Sequence, residues 1–223
     1  MKKKIFFDQK SDIHYEMFFP EDSEKDLPLL IYLHGAGERG DDLLHLERHG
    51  IPKLISEGCE FPAVILCPQC PSMFVWDNIV RELKQLIDDV IIKFGIKKDR
   101  ICITGSSMGG YGTWMMGLTY NNFFSAIAPV AGGSMSWRVH NLIKTPIYAI
   151  HGKMDQVVPS FYSEIMINEV LNIGGNAKLL LLEDMGHNDG IDYTYRNTDL
   201  IHWLLSQRRM NFDAVSETCS EFF

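Results

Sequence analysis

Three residue types in this sequence can activate one another for acyl transfer: a serine, a histidine and an aspartate. The serine is Ser107, at the centre of Gly105-Ser106-Ser107-Met108-Gly109. Four strand-forming residues, Ile101-Cys102-Ile103-Thr104, run into that pentapeptide, and a helix-like segment follows it. In a strand–turn–helix setting G-x-S-x-G forms a nucleophile elbow, a sharp turn that projects the serine Oγ above the sheet edge. The flanking glycines are needed because a Cβ there would meet the neighbouring strand and helix. Gly110 and Gly112 extend the same logic into the first turn of the helix. A serine hydroxyl is a weak nucleophile until a base takes its proton, and a histidine oriented by a carboxylate is such a base.

That chemistry needs elements whose ends converge, and the sequence supplies them. Residues 4–8 and 13–19 read as a short antiparallel pair of strands, with a turn at 9–12 and a charged loop from Glu21 to Pro28. Leu29-Leu30-Ile31-Tyr32-Leu33 is an apolar run of the kind buried on both faces of a parallel sheet. Residues 63–67, 125–131, 146–150 and 178–182 read as further strands. Two short helical segments are expected at about 42–49 and 51–57. A long helix is expected after Asp77 as its cap, with Ile79, Val80, Leu83, Leu86, Ile87, Val90, Ile91 and Phe94 at helical spacing and Gly95 at its end. The elbow helix should reach about Tyr120, and two more should lie near 160–172 and 195–207. Strands alternating with helices, without repeats or a low-complexity linker, give an α/β fold: a mostly parallel sheet of about eight strands, covered on both faces. The whole chain, 1–223, reads as a single domain without a large cap, and its last dozen residues, 212–223, are expected to fray.

In a parallel sheet, ligand chemistry gathers at the carboxyl ends of the strands. That rule selects Ser107 after the 101–104 strand, Asp155 in His151-Gly152-Lys153-Met154-Asp155, and His187 in Gly186-His187-Asn188 after the last strand. Asp184, Asp189 and Asp192 lie nearer His187 in sequence, but Asp155 occupies a strand end of its own, from which it can approach the imidazole opposite Ser107. His34 and His151 both precede glycines at strand ends and are expected to be hydrogen-bonded loop anchors. Gln69, Trp76 and Trp137 follow strands and are candidates for substrate contact, the two tryptophans as walls of an acyl or alcohol pocket. Glu38 and Arg39 are expected to brace their own loop. Trp114 should pack in the helix core. Cys67-Pro68-Gln69-Cys70 has C-x-x-C spacing, but zinc would need a second pair, and a redox motif would open a helix directly. Strand-end packing is the expectation.

The formal net charge of −8 argues against nucleic acid and anionic membranes as partners. No apolar run approaches the roughly 18 residues of a membrane span. After Lys2-Lys3-Lys4 only Ile5-Phe6-Phe7 precedes Asp8, too short for the core of an export signal, so a cytoplasmic location is expected, with an exported form as the alternative.

The chain order Ser, Asp, His, each after its strand, resembles the α/β-hydrolase superfamily, and more closely its compact phospholipase/carboxylesterase-like serine esterases, with their predicted-peptidase and feruloyl-esterase-like neighbours. The residues that carry the resemblance are L-H-G-A-G-E-R-G at 33–40, C-P-Q-C-P at 67–71, G-S-S-M-G-G-Y-G-T-W at 105–114, H-G-K-M-D at 151–155 and G-H-N at 186–188. The resemblance implies an α/β-hydrolase fold with Ser107 as nucleophile, His187 as base and Asp155 as the acid that orients it. It implies an oxyanion hole from the backbone N–H groups of Met108 and Ala36, with Gly37 as the alternative to Ala36. It implies a serine hydrolase cleaving carboxylic esters through an acyl-enzyme, with no metal or cofactor. Small soluble esters, or acyl groups on a larger sugar or polymer, would suit the open site that short loops leave. The same three residues can cleave amides, so a serine peptidase of the prolyl-oligopeptidase-like type is the rival enzymatic reading. A ligand-binding protein that has lost turnover is the third, and an intact Ser107, Asp155 and His187 argues against it.

Overall fold

A computed structural model of the chain describes residues 1–21 and 26–209; the expectation for 212–223 lies outside the described residues. Eight strands form one sheet: β1 (Lys2–Asp8), β2 (Ile13–Phe19), β3 (Leu29–Leu33), β4 (Val64–Pro68), β5 (Ile101–Ser106), β6 (Ala126–Val130), β7 (Ile147–Gly152) and β8 (Ala177–Leu182). Their spatial order is β1-β2-β4-β3-β5-β6-β7-β8. The β1–β2 and β2–β4 pairs are antiparallel and every later pair is parallel.

Side chains alternate across each strand and so sort into two cores. Leu29, Ile31 and Leu33 of β3 pack on one face, with Leu83, Leu86 and Ile87 of α2 (Val80–Phe94), Trp114 of α3 (Met108–Thr119) and Met166 of α4 (Phe161–Asn172). Leu30 and Tyr32 face the other way, onto Ile51 of α1 (Gly50–Ser56), Ile191 of α5 (His187–Asn197) and Leu204 of α6 (Leu200–Ser206). Trp114 is wholly buried, as a core residue.

Two expected helix starts are corrected. Asp77 does not cap the long helix: residues 76–78 form a separate 3-10 turn, in which the Asn78 side chain accepts the Val75 N–H, and the helix begins at Val80. The helix expected near 195–207 is two helices, 187–197 and 200–206, separated at Thr198-Asp199.

The sheet positions the site through the crossing of α3 over β3. A Cβ on Gly109 would lie far inside contact distance of the Leu33 carbonyl oxygen, and one on Gly110 far inside contact distance of the Val130 carbonyl oxygen. Both obstacles are backbone, so neither can rotate away. Replacing Gly109 with alanine is therefore expected to destabilise the fold by about 3 kcal/mol or more, at the upper end of overpacking costs. Urea denaturation followed by tryptophan fluorescence would measure it; an unchanged midpoint would show that α3 can lift off β3 without penalty.

Candidate active site

Ser107 occupies the single residue between β5 and α3, with φ 57° and ψ −119°. A side chain is strained there. The Ser107 N–H bonded to the Val130 carbonyl at 3.0 Å, and the Tyr111 N–H bonded to the Ser107 carbonyl at 3.1 Å, hold it in place. Met108 is the first residue of α3, so its N–H has no acceptor inside the helix.

His187 begins α5, two turns of chain beyond β8, and its Nε2 lies 2.9 Å from Ser107 Oγ. Its Nδ1 lies 2.6 Å from Asp155 Oδ2. A carboxylate only accepts, so the hydrogen sits on Nδ1 and leaves Nε2 free to accept from the serine hydroxyl. The other carboxylate oxygen, Oδ1, accepts the Val157 and Val158 N–H groups, each at 2.8 Å. Burial works to push the Asp155 carboxyl up, but hydrogen bonds from His187 and from these two amides outweigh it and hold it below the ordinary aspartate range. The structure thus brings Ser107, His187 and Asp155 into one hydrogen-bonded chain. The rival carboxylates are engaged elsewhere or face solvent. Asp189 accepts the Gly186 N–H at 3.1 Å, Asp192 pairs with Lys53 at 3.0 Å, and Asp184 is exposed.

His151 and His34 are both buried and hydrogen-bonded at both ring nitrogens. His151 Nε2 lies 2.8 Å from the Val158 carbonyl and 3.3 Å from Asp155 Oδ2, with Ser163 Oγ 2.8 Å from Nδ1. It therefore braces the turn that presents the acid. His34 Nε2 accepts the Cys70 N–H at 2.9 Å, which places its hydrogen on Nδ1, 2.6 Å from the Gly35 carbonyl. Both nitrogens are satisfied by the neutral ring.

Two residues expected to contact substrate do not lie where they could. Gln69 is 1% exposed and its Nε2 donates to the carbonyls of Glu38 and Asp42, at 2.9 and 2.8 Å. Trp76 is also 1% exposed: its ring packs edge-on to His34 and its Nε1–H donates to the His34 carbonyl at 3.0 Å. A polar or aromatic residue after a strand resembles one that faces a ligand, whereas both of these face the back of the 34–40 loop. Trp137 is 74% exposed and lies in the 3-10 helix Ser136–Leu142, whose Arg138 and Asn141 donate to the Leu118 carbonyl at the end of α3 away from Ser107. Cys67 and Cys70 are buried thiols, and burial pushes Cys70 up to about 12. Among the described residues no group of His, Cys, Asp and Glu could hold a metal ion.

The sequence reading missed Tyr111 and Tyr162. Tyr111 lies one helical turn beyond Ser107, on the same face of α3, and its ring centroid is 6.4 Å from that of Tyr162, which adjoins Phe161 at 6.1 Å. Phe161 and Tyr162 are 59% and 46% exposed, so with Tyr111 they form a partly open aromatic flank. The i, i+4 spacing from Ser107 was the available signal. The opposite flank carries the exposed backbone of Ala36 and Gly37 and the basic side chains of Arg39 and Arg48.

The sheet order, with Ser107, Asp155 and His187 after β5, β7 and β8, defines an α/β-hydrolase fold. A family model described as phospholipase/carboxylesterase matches residues 73–193, more than half of the chain and including all three residues. The chain belongs to the phospholipase/carboxylesterase family, a family of carboxylic ester hydrolases. It is 27% identical over 152 residues to a bifunctional acetylxylan esterase/xylanase of Neocallimastix patriciarum, covering 66% of this chain but 22% of that protein. The chain thus spans about a fifth of the length of that relative. The crystal structure of a thermostable esterase superposes with a TM-score of 0.79 at 28% identity, over 93% of this chain and 63% of the other. A truncated carbohydrate esterase from gut microbiota superposes with a TM-score of 0.72 at 17% identity, over 92% and 95%, a likeness of fold.

The buried histidines carry a consequence for acid stability. Burial is the main cause that lowers His34 from 6.5 to about 4, and burial lowers His151 as well. Between those two values the unfolded chain binds a proton that the folded His34 does not, so stability falls as pH drops from 6.5 towards 4. Glu38, whose carboxyl burial pushes up, acts in the opposite sense. His34 alone should contribute about 3 kcal/mol of that loss. Urea midpoints measured between pH 7 and pH 4 should fall steeply for the native chain and less steeply for His34→Asn. Equal slopes would mean that His34 is already protonated in the folded state.

Proposed function

We propose that the chain is a serine esterase that works through an acyl-enzyme. The observation that carries this reading is the unbroken chain from Ser107 Oγ through His187 to Asp155, at 2.9 and 2.6 Å, on the carboxyl edge of the sheet. Ser107 Oγ attacks the ester carbonyl carbon while its proton passes to His187 Nε2. The carbonyl π electrons move onto oxygen, and the N–H groups of Met108 and Ala36 receive that charge. As the tetrahedral species collapses, the carbon–oxygen bond to the alcohol breaks and His187 returns the proton to the departing oxygen. Water then repeats the sequence and frees the acid. Asp155 stays ionised throughout and stabilises the imidazolium; the N–H groups of His187, Val157 and Val158, which bond its two oxygens, favour that charge.

The aromatic flank of Tyr111, Tyr162 and Phe161 supports esters with a planar or ring-shaped portion, such as aryl esters or acylated sugars, because such rings stack on aromatic faces. The names of the acetylxylan esterase and carbohydrate esterase to which the chain is similar agree with acyl groups carried on sugars. The connections around the site are short, and each extra buried methylene of an acyl chain contributes only about 0.8 kcal/mol where a wall exists. Short acyl groups are therefore favoured.

An organophosphonate should label the native chain and Ser106→Ala but not Ser107→Ala; labelling of Ser107→Ala would remove the nucleophile assignment. Asp155→Asn should lower kcat by about 10⁴, as when a triad aspartate loses its charge. An effect of that size in Asp184→Asn or Asp189→Asn instead would move the acid. On a panel of acetyl, butyryl and decanoyl aryl and sugar esters beside peptide amides, kcat/KM should be highest for the short-chain esters. Peptide cleavage that equals ester cleavage would overturn the esterase reading in favour of a peptidase.

A further inference from the structure

The proposed function requires an N–H of the 34–38 loop to face the developing oxyanion, and the following inference rests on that reading. The loop has no sheet partner to orient it, yet five successive carbonyls are tied down by side chains. Trp76 Nε1–H bonds to the carbonyl of His34 (3.0 Å), His34 Nδ1–H to that of Gly35 (2.6 Å) and Arg39 Nε–H to that of Ala36 (3.0 Å). Arg48 donates to that of Gly37 (3.3 Å), and Gln69 Nε2–H to that of Glu38 (2.9 Å). In a trans peptide each N–H points opposite to the preceding carbonyl. Tying the Gly35 carbonyl to the His34 ring therefore sets the direction of the Ala36 N–H.

The ring is itself held from the end of β4. The Cys70 N–H donates to His34 Nε2 at 2.9 Å, and the Cys70 carbonyl accepts the Gly40 N–H at 3.0 Å. One hydrogen-bonded relay thus runs from the Cys70 amide through the neutral imidazole to the peptide that bears the Ala36 N–H. Gln69, the preceding residue, is anchored by its own N–H to the His14 carbonyl at 2.8 Å, and its Nε2 spans the loop to the carbonyls of Glu38 and Asp42. Among the described residues its Oε1 is buried without a donor. Leaving a buried acceptor unpaired costs about 1–3 kcal/mol, so the amide is poorly explained as stabilising filler. The two bonds from its nitrogen are what the side chain supplies.

We propose that Gln69 and His34 are positioning residues that fix the oxyanion donors of the 34–38 loop onto the end of β4. Neither touches the substrate. Both act on the transition state through the loop backbone, so their loss should lower kcat and leave KM nearly unchanged.

Four variants test this on a short-chain aryl ester: Gln69→Met, which keeps the volume and removes both donors; His34→Asn, whose amide nitrogen reproduces the Nδ1 donor; His34→Gln, whose amide reaches the Nε2 position instead; and Ser107→Ala. Folded fraction is checked by near-UV circular dichroism. Gln69→Met and His34→Gln should lower kcat by about 10²-fold, the loss typical of one oxyanion donor, with KM within about threefold of native. The rate of phosphonylation, which draws on the same donors, should fall in parallel. His34→Asn should recover most of the kcat lost in His34→Gln. A folded Gln69→Met with native kcat, or a His34→Gln as active as His34→Asn, would overturn the proposal. If Gln69→Met does not fold, the two His34 variants decide it. Ester turnover that survives Ser107→Ala would instead remove the underlying esterase reading, and this inference with it.

Discussion

Ser107 stands above the sheet because its backbone is held at φ 57°, ψ −119°, a conformation that costs a residue with a side chain about 1–3 kcal/mol. It is sustained by what surrounds it: β5 paired on both sides, the Val130 carbonyl that accepts the Ser107 N–H, and α3 pressed onto β3 at Gly109. The same close crossing sets how far the helix N-terminus stands from the 34–38 loop, and hence the space between Met108 and Ala36. The rest of the site is arranged around that one point.

Charge in the site follows from solvation as much as from sequence. Asp155 is buried, which would favour its neutral form, but three N–H groups bond its two oxygens and hold it below the ordinary aspartate range. His34 is equally buried and has no carboxylate at hydrogen-bonding distance; Glu38 Oε2 is 3.8 Å from its Nδ1. Burial prevails there and the ring stays neutral. Two strand-end regions with similar sequences, H-G-A-G-E at 34–38 and H-G-K-M-D at 151–155, thus place a histidine before a glycine and a carboxylate four residues on. Burial pushes the first carboxylate up, whereas the second accepts the Val157 and Val158 N–H groups and the His187 bond and is held low.

What the sequence made legible was what leaves few alternatives. Glycines at 105, 109 and 110 have little use except close backbone approach, and apolar runs at 29–33 and 101–104 are hard to place outside a buried sheet. The order of strand ends then located Ser107, Asp155 and His187 on one edge, where the structure brings them together. Gln69 and Trp76 were misread because the need they meet is invisible in the sequence. Loop carbonyls advertise nothing in residue type, and a side chain that satisfies them looks like one that waits for a ligand. The helix starting at His187 was missed for a different reason. His187-Asn188-Asp189-Gly190 is poor helix-forming sequence, and what starts the helix is the Asp189 carboxylate accepting the Gly186 N–H.

Because β8 is an edge strand and His187 follows it, the proposed base is the last of the three residues to be made. A nascent chain that has emerged only to Leu171 already contains Ser107, Asp155 and the 34–38 loop, but it lacks the strand at the sheet's edge and His187 beyond it. Such a chain can be structured and still be chemically silent, since Ser107 without a base is an ordinary alcohol. Under the proposed mechanism, reactivity therefore waits for β8 and for the first residue of α5 that follows it.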